Sequence, residues 1–589
     1  MQRRDTPAPA ERFAARLDQA PGGLAFHAGV VALRRRAGDE WVSTGLYRQL
    51  IERPAPKGFS AAPRDYRPLD LEAGRKVLAG RIDLVGAGLE VEPGGDPWDR
   101  PSPSRLFAVA LHRYAFAQDL MAAGEPGARE LLRLFLAWRE LFDRVTPFAW
   151  GPETLPRRVF QLACAGKQIA AVASDAEAAI LAGSIAAQAR HLLRLAKGDP
   201  HAQAERYCAV AVAGAALTGP AGERLMAQAL PRLSRALGEA VLPDGGVKSR
   251  SPQAGLELLF DLLTLDDALL QRGREAPPEV ARAIDRLSAI LAFFALGDGA
   301  LAAFQGGEAV DAVRVDAVRV DAARVHDEHE ARPFGYAPHS GYHRLAGKAL
   351  LVMVDAAPPA AGAWSLAACG QPLAMEVSAG RDRLIVNCGW SPDAAGPQAM
   401  RLSAAGSTVS LGDASTGKPL GGFPARALGP RLVGAPDRVE ARRNENEGGV
   451  WLELAHDGWA RQFGLIHERR LFLDPVADEL RGEDRLAPSA EVPRDKPPSA
   501  QFAVRFHLHP DVQVSLARDN RSVLLRGPSD RGGWFRNDAH EVALEPSVVF
   551  ERGQPRRAQQ VVLRGVAGED GARVRWKLTP VEPDGAAKR

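Results

Sequence analysis

Leu256-Glu257-Leu258-Leu259-Phe260-Asp261-Leu262-Leu263 and Ala349-Leu350-Leu351-Val352-Met353-Val354 carry two different hydrophobic periods, and the contrast between them decides the fold. In the first, as in Leu131-Leu132-Arg133-Leu134-Phe135-Leu136-Ala137-Trp138, apolar residues recur at the spacing of a helix that buries one stripe. In the second, as in Arg383-Leu384-Ile385-Val386-Asn387 and Val450-Trp451-Leu452-Glu453-Leu454, short alternating or apolar runs lie between Gly, Pro, Asp and Asn. That is the pattern of strands with one or both faces covered. The change falls around residue 300. A long block of helices followed by a long block of strands implies two cores, and a seam between unlike cores is a natural place for a cleft.

Working outward, helical segments are expected over 104–123, 127–143, 155–173, 175–197, 203–217, 222–241, 252–271 and 277–296. Breakers such as Gly151-Pro152, Gly219-Pro220 and Pro243-Asp244-Gly245-Gly246 separate several of them. Repeated antiparallel pairs of this length suggest an (α/α) toroid rather than a four-helix bundle. Beyond residue 340, runs such as Ala503-Val504-Arg505-Phe506-His507-Leu508-His509 and Val574-Arg575-Trp576-Lys577-Leu578 read as a large antiparallel β-sandwich. The expected class is multidomain α+β. A mixed region over 1–103 precedes the helical toroid over 104–308, a linker over 309–337 and the sandwich over 338–580. The linker carries a five-residue repeat, Val310-Asp311-Ala312-Val313-Arg314 and its successors to Val325. A period of five fits neither helix nor strand, so a solvated connector is expected.

At 589 residues the chain is too long for one core, and with 46% hydrophobic and 25% charged residues it is not a disordered one. A net charge of +3, with no basic block or aromatic array, argues against a nucleic-acid groove. It leaves room for a local arginine cluster. Cys164, Cys208, Cys369 and Cys388 lie far apart without a CxxC pair, which reads as buried thiols in a reducing compartment. The start, Met1 to Ala10, has no apolar stretch behind it, and nowhere do eighteen apolar residues run together. No secretory signal, spanning helix or membrane partner is therefore expected. The expectation is a cytoplasmic protein, or a periplasmic one if the start is misassigned.

Several segments in order resemble the heparinase II/III-like family of polysaccharide lyases. They include Pro243-Asp244-Gly245-Gly246-Val247-Lys248-Ser249-Arg250-Ser251-Pro252, Gly297-Asp298-Gly299-Ala300-Leu301, His339-Ser340-Gly341-Tyr342-His343-Arg344-Leu345 and Leu373-Ala374-Met375-Glu376-Val377. Leu384-Ile385-Val386-Asn387-Cys388-Gly389, His456-Asp457-Gly458-Trp459 and Leu480-Arg481-Gly482-Glu483-Asp484 follow. The resemblance implies a toroid followed by a sandwich, acidic polysaccharide or oligosaccharide partners, and cleavage by β-elimination with no cofactor required. That reaction needs a base, usually Tyr or His, beside the carbon next to a uronic carboxylate. It also needs a cationic or hydrogen-bonding group for the developing enolate, and an acid for the leaving oxygen.

The chain departs from the family pattern at four such positions. Val247 stands where a histidine commonly follows Asp-Gly-Gly, and Ala368-Cys369-Gly370 where relatives carry Ala-His-Ala. Ala405-Gly406 precede Ser407-Thr408 in place of a histidine, and Trp459 replaces a frequent tyrosine. Among what remains, Tyr342, Arg250 and His343 are the catalytic candidates. Arg250 reads either as a carboxylate clamp or as a structural salt bridge, and Tyr342 either as a base or as packing. Arg344, His456 and Trp459 are candidates for substrate binding. Some relatives hold a structural zinc in this domain, which makes Cys369, His467 and His507 candidate ligands, with His509 on the same strand face as His507. Two readings stand: a uronate-glycan lyase whose competence is in question, and a degenerate relative that binds a glycan or a protein partner.

Overall fold

A computed structural model describes residues 23–195, 199–318, 334–393, 396–490 and 500–581. The chain opens with helices α1 (Gly23–Val42), α2 (Gly45–Glu52) and α3 (Leu71–Leu78) and a hairpin of β1 (Arg81–Leu84) and β2 (Ala87–Glu90). Tyr47, Ile51, Val77 and Ile82 from this region join the core of the helices that follow. Those are α4 (Arg105–His112), α5 (Ala117–Met121), α6 (Glu125–Phe142), α7 (Leu155–Ala170), α8 (Asp175–Leu192), α9 (Pro200–Ala216), α10 (Gly219–Ala240), α11 (Pro252–Leu270) and α12 (Pro278–Phe294).

Local chemistry sets their ends. Ser174 and Glu177 form a reciprocal capping box on α8, and the Ser251 hydroxyl accepts the Ala254 amide at the start of α11. The segment expected as one helix over 104–123 is two, because Tyr114 turns the chain with φ +58°. Helices α9 and α11 bury residues on all sides, whereas α10 buries a single stripe through Leu225, Ala229, Leu233, Leu237 and Ala240. This is the inner-and-outer pairing of a toroid. Pairing of α9 with α10 is close: a Cβ on Gly222 would sit 2.5 Å from the Gly214 carbonyl oxygen.

The strand half is a sandwich of two antiparallel sheets. It comprises β3 (Tyr336–Ala337), β4 (Tyr342–Ala346), β5 (Leu350–Asp355), β6 (Met375–Ala379), β7 (Asp382–Val386), β8 (Val409–Leu411), the small pair β9 (Lys418–Pro419) and β10 (Leu432–Val433), and β11 (Val439–Asn446). Then come β12 (Gly449–His456), β13 (Leu465–Asp474), β14 (Glu479–Pro488), β15 (Ala500–Leu508), β16 (Gln513–Leu516) and β17 (Val523–Arg526). The chain closes with β18 (Gly532–Asn537), β19 (Glu541–Glu551), β20 (Gln554–Ala567) and β21 (Ala572–Pro580). The first sheet runs β19-β20-β15-β7-β6-β5-β4-β3, with β8 on β15, and the second runs β11-β12-β13-β14-β21-β18-β17-β16.

Every residue of β5, β6 and β7 is buried, while β13 alternates buried and accessible. The cause is what covers each sheet. The inner face of each packs on the other, but the first sheet's outer face lies against the toroid, so Tyr342, Leu351 and Met353 belong to the helical core. The second sheet's outer face meets solvent. This explains why Leu350-Leu351-Val352-Met353-Val354 is a continuous apolar run and Val450-Trp451-Leu452-Glu453-Leu454 an alternating one.

The five-residue repeat corrects one expectation. Residues 312–318 are helical, and Val310, Val315 and Val318 are buried in the toroid core, so this part is packed rather than solvated. The remainder, 319–325, lies outside the described residues. Among the described residues no helix is long and apolar enough to cross a membrane.

Candidate functional site

Two neighbouring features occupy the seam, a closed clamp and an open cleft. The clamp is built on the Asp244-Gly245-Gly246 turn, where Gly245 has φ +88° and a Cβ would meet the Arg286 carbonyl oxygen at 2.0 Å. Asp244 accepts the backbone amides of His339 and Ser340, each at 2.7 Å, which docks the start of the sandwich on the toroid. Arg250 then reaches across the seam. Its Nε donates to the Ser340 carbonyl, Nη1 to those of Ala357 and Pro358, and Nη2 to the Gly341 carbonyl and the Asp355 carboxylate. A guanidinium has five N–H donors, and these five bonds engage the group from every side. Asp355 is in turn held by Gln305 at 2.7 Å, and the other end of that amide accepts the Cys369 amide.

Tyr342 lies under this clamp. Its ring packs on Phe294 and Phe304, and its hydroxyl donates to the Arg250 carbonyl at 2.7 Å. Burial pushes the hydroxyl well above its ordinary pKa, with Arg250 opposing. A phenol that is fully buried and hydrogen-bonded through its proton has no path to a substrate carbon. His343, on the next position, stacks on Tyr336 at 5.8 Å, and burial, with Arg443 beside it, lowers its pKa to about 4. Arg344 donates to the Ala295 carbonyl. The structure thus gathers Arg250 and Tyr342 into one unit, and that unit is internal.

The remaining sequence candidates fall elsewhere. His456 and Trp459, expected at a substrate surface, are buried inside the sandwich, Trp459 within its apolar core beside Phe463. The Gly458 amide donates to His456 Nδ1 at 3.0 Å, so the His456 proton sits on Nε2 and points to His467 Nδ1 at 3.2 Å. His467 Nε2 therefore donates to Asp484, which also takes Arg469 and the Trp576 indole. Burial holds both imidazoles below their ordinary pKa, whereas Arg469 and His467 overcome burial at Asp484 and hold it low. His456 and His467 face each other in strand register, a relation invisible until the pairing of β12 with β13 is known.

The three candidate zinc ligands do not meet. Cys369 lies by Gln305 at the seam and His467 by Asp484 in the second sheet. His507 lies in the first sheet, between the Cys388 thiol, the Ser547 hydroxyl and the Ala404 carbonyl. His509 pairs with Glu551 instead. Among the described residues no group of three or more His, Cys, Asp or Glu is placed to hold a metal ion.

The open cleft has a volume of about 750 Å³ and runs between the inner toroid helices and the sandwich segments around Ser391 and Gly553. Arg67, Arg113, Arg157, Arg314 and Arg552 line it, with Glu153, Glu205, Glu257, Glu308, Asp311 and Asp393. Each arginine already has a carboxylate. Arg157 grips Asp261 at 2.6 and 2.7 Å, and Arg67 bonds Asp261, Asp65 and Glu257. Arg113 meets Asp393 at 2.7 Å, Arg552 meets Asp311 at 3.0 Å, and Arg314 meets Glu257. Burial pushes the Glu257 carboxyl up, but Arg314, Arg67 and Arg157 more than reverse that and bring it to about 2. Glu308 goes the other way, raised by burial although the Gly553 amide and Ser391 hydroxyl bond it. No tyrosine or histidine is among the described residues lining the cleft.

The sequence signal for this network is slight: Asp261 and Glu257 are charges inside an apolar helical run. Their partners stand far off in the chain, so spacing does not reveal them. Chemically the cleft offers hydrogen-bonding groups, compensated charge and carboxylates, among them Glu308 with a pKa raised by burial.

Comparison with known proteins gives the lineage. Residues 329–577 match the family described as heparinase II/III-like, C-terminal. The chain is 52% identical over 577 residues to the FtsZ-localized protein C of Caulobacter vibrioides (strain NA1000 / CB15N), covering 95% of this chain and 98% of that protein. In fold it is similar to a crystal structure of heparinase III, with a TM-score of 0.69 at 13% identity over 96% of this chain and 92% of that one. It is also similar to a heparan sulfate lyase HepC mutant from Pedobacter heparinus, with a TM-score of 0.56 at 15% identity over 97% and 91% of the two chains.

Proposed function

Given that the chain belongs to the heparinase II/III-like family, we propose that it uses the toroid-and-sandwich fold of that lyase kind to bind a partner rather than to cleave a glycan. We further propose that, like the relative named for its localization to FtsZ, it works where FtsZ assembles; the 52% identity across nearly the whole chain supports this. The observation that carries the first part is the state of the cleft. Its arginines are committed to the protein's own carboxylates, and its described lining holds neither tyrosine nor histidine. A uronate entering it would meet arginines already paired, the pairs of Arg67 and Arg157 with Asp261 being buried, and neither a phenol nor an imidazole lines the described cleft to take the proton. Loss of a single stabilising donor at such a site costs about 2.7–4 kcal/mol in the transition state; here the usual phenol or imidazole base is missing from the described lining as well.

A second reading, a lyase for acidic glycans, is favoured by the five guanidiniums that do line a cleft in a lyase fold. One experiment separates the two. The full chain is incubated with heparin, heparan sulfate, alginate, hyaluronan and chondroitin while the absorbance of an unsaturated uronate is followed, and a fluorescent fusion is imaged beside labelled FtsZ. The binding reading expects no product and coincident foci. Product formation that disappears in Arg157→Ala supports the lyase and overturns the proposal.

A further inference from the structure

The outer face of the second sheet is covered neither by the sandwich partner nor by the toroid among the described residues, and its side chains form ordered rows. Strand register places Asn444, Trp451, Phe472, Arg481, Lys577 and Arg536 side by side across six strands. Strands stand about 4.8 Å apart, so the stretch from Trp451 to Arg536 spans about 19 Å. One end is aromatic: Trp451 is 45% exposed, its ring 4.5 Å from that of Phe472, and Arg481 lies over Phe472 at 5.7 Å. The other end is cationic, with Arg536 reaching over Trp534 at 5.8 Å. The next row alternates Arg442, Glu453, Arg470, Glu483 and Arg575, and a third ends in Arg485 and Arg573.

Charge on this face is unbalanced in number and in height. Arg470, Arg481, Arg485, Arg573, Arg575 and Lys577 share the four carboxylates of Glu453, Glu468, Glu479 and Glu483. Glu483 alone serves three of these arginines, and Glu479 serves both Arg481 and Lys577. The six cationic side chains are 43–58% exposed, whereas Glu468, Glu479 and Glu483 are only 9–25% exposed. An approaching ligand therefore meets cations first over the three carboxylates of Glu468, Glu479 and Glu483, whereas Glu453 stands level with the cations at 50% exposure. Arginine and tryptophan are also the residues that most often anchor protein interfaces.

We propose that this face docks an acidic, extended segment of a protein partner, its carboxylates on the row from Arg481 through Lys577 to Arg536 and an apolar side chain against Trp451 and Phe472. The linear row, with Trp451 and Phe472 packed at one end and Arg536 over Trp534 at the other, fits a chain better than a continuous anionic surface. Such a surface would press on Glu453 and Glu440, each 50% exposed, as firmly as on the arginines. The proposal goes beyond the reading of the cleft and stands or falls independently of it.

The test uses the full chain and a fluorescein-labelled glutamate-rich peptide carrying one phenylalanine. Fluorescence anisotropy is measured beside the glutamine version of the peptide, heparin, and phosphatidylglycerol vesicles. The expected result is binding of the acidic peptide alone among these, weakened by added salt. It should weaken by roughly tenfold or more in the variant Arg481→Glu, Lys577→Glu, Arg536→Glu, and by a smaller factor in Trp451→Ala. Since these side chains are exposed, thermal midpoints should stay near that of the parent; a milder set with glutamine at the same positions should also weaken binding. Equal affinity of parent and both variants, no binding of the peptide, or capture by vesicles or heparin in its place overturns the proposal. Lyase activity in the parent would refute the binding reading of the cleft while leaving this result to be judged alone.

Discussion

The cleft and the outer face of the second sheet are made from the same materials, arginine and carboxylate, yet they present opposite charge to a visitor. In the cleft Arg67, Arg113 and Arg157 are largely inside while Arg552 stands out to solvent at its rim, and carboxylates outnumber the arginines: five arginines line it with six acids, and Asp65 and Asp261 stand behind. On the sheet six cations share four carboxylates, three of them recessed and only Glu453 as exposed as the cations. The difference teaches that a census of arginines does not identify an anion site. What matters is which guanidiniums remain available after the protein's own acids are served, and whether those acids stand above or below them. Burial sharpens the point, because a desolvated ion pair is costly to open and an exposed one is not.

The largest effect that would break this comparison is at Asp261. Asp261→Asn leaves the Arg67 and Arg157 guanidiniums without their shared charge, and the expected loss is about 3–5 kcal/mol in urea denaturation. A loss near zero would mean that the cleft arginines are as free as those on the sheet. Acid should separate the regions next. Burial first holds the imidazoles of His191, His343 and His507 down to about 4, so the unfolded chain binds protons more readily than the folded one. Stability is then complete above the unfolded value of about 6.5 and falls as pH drops from there toward 4, by up to about 1.4 kcal/mol per pH unit for each histidine. Thermal midpoints between pH 7.5 and 5 measure this. Acidic-peptide binding, which uses arginine and lysine, should hold steady from pH 7.5 to 6.

Smaller changes sharpen the contrast. Tyr342→Phe removes only the hydrogen bond to the Arg250 carbonyl, so about 0.5–1.5 kcal/mol of stability should be lost with no change in any glycan assay. A change in product formation would restore Tyr342 as a base. The smallest stability effect is expected at Glu483, where Glu483→Gln should cost less than about 1 kcal/mol while tightening acidic-peptide binding, since three arginines lose their shared partner. Weaker binding in that variant would contradict the recessed-carboxylate argument.

Much of the fold was legible because each half has a strong period. The helix over 252–271 and the buried run at 350–354 stand where their patterns put them, and the continuous run reported a sheet covered on both faces. The break at Tyr114 escaped notice because apolar residues continue through it, and a left-handed residue leaves no mark on the pattern. The five-residue repeat misled for a related reason: its charges suggested solvent, but Val310, Val315 and Val318 fall where the toroid can bury them. The site was legible only as positions. Arg250 and Tyr342 are the catalytic candidates the sequence offers, and their geometry matches the structural alternative, a clamp with its donors used. The cleft network was not readable, because Arg157 meets Asp261 across 104 positions and Arg67 meets it across 194. The rows on the sheet needed the register of six strands, which no single strand contains.

One measurement addresses both regions together. A glutamate-rich peptide bearing a photoreactive group is crosslinked to the full chain, and the attachment sites are mapped by mass spectrometry. The account predicts adducts on the outer strands, around Trp451, Phe472, Arg481 and Lys577. Adducts concentrated at Arg67, Arg113, Arg157 or Arg314 would contradict it, for the cleft would then be the surface that receives anions.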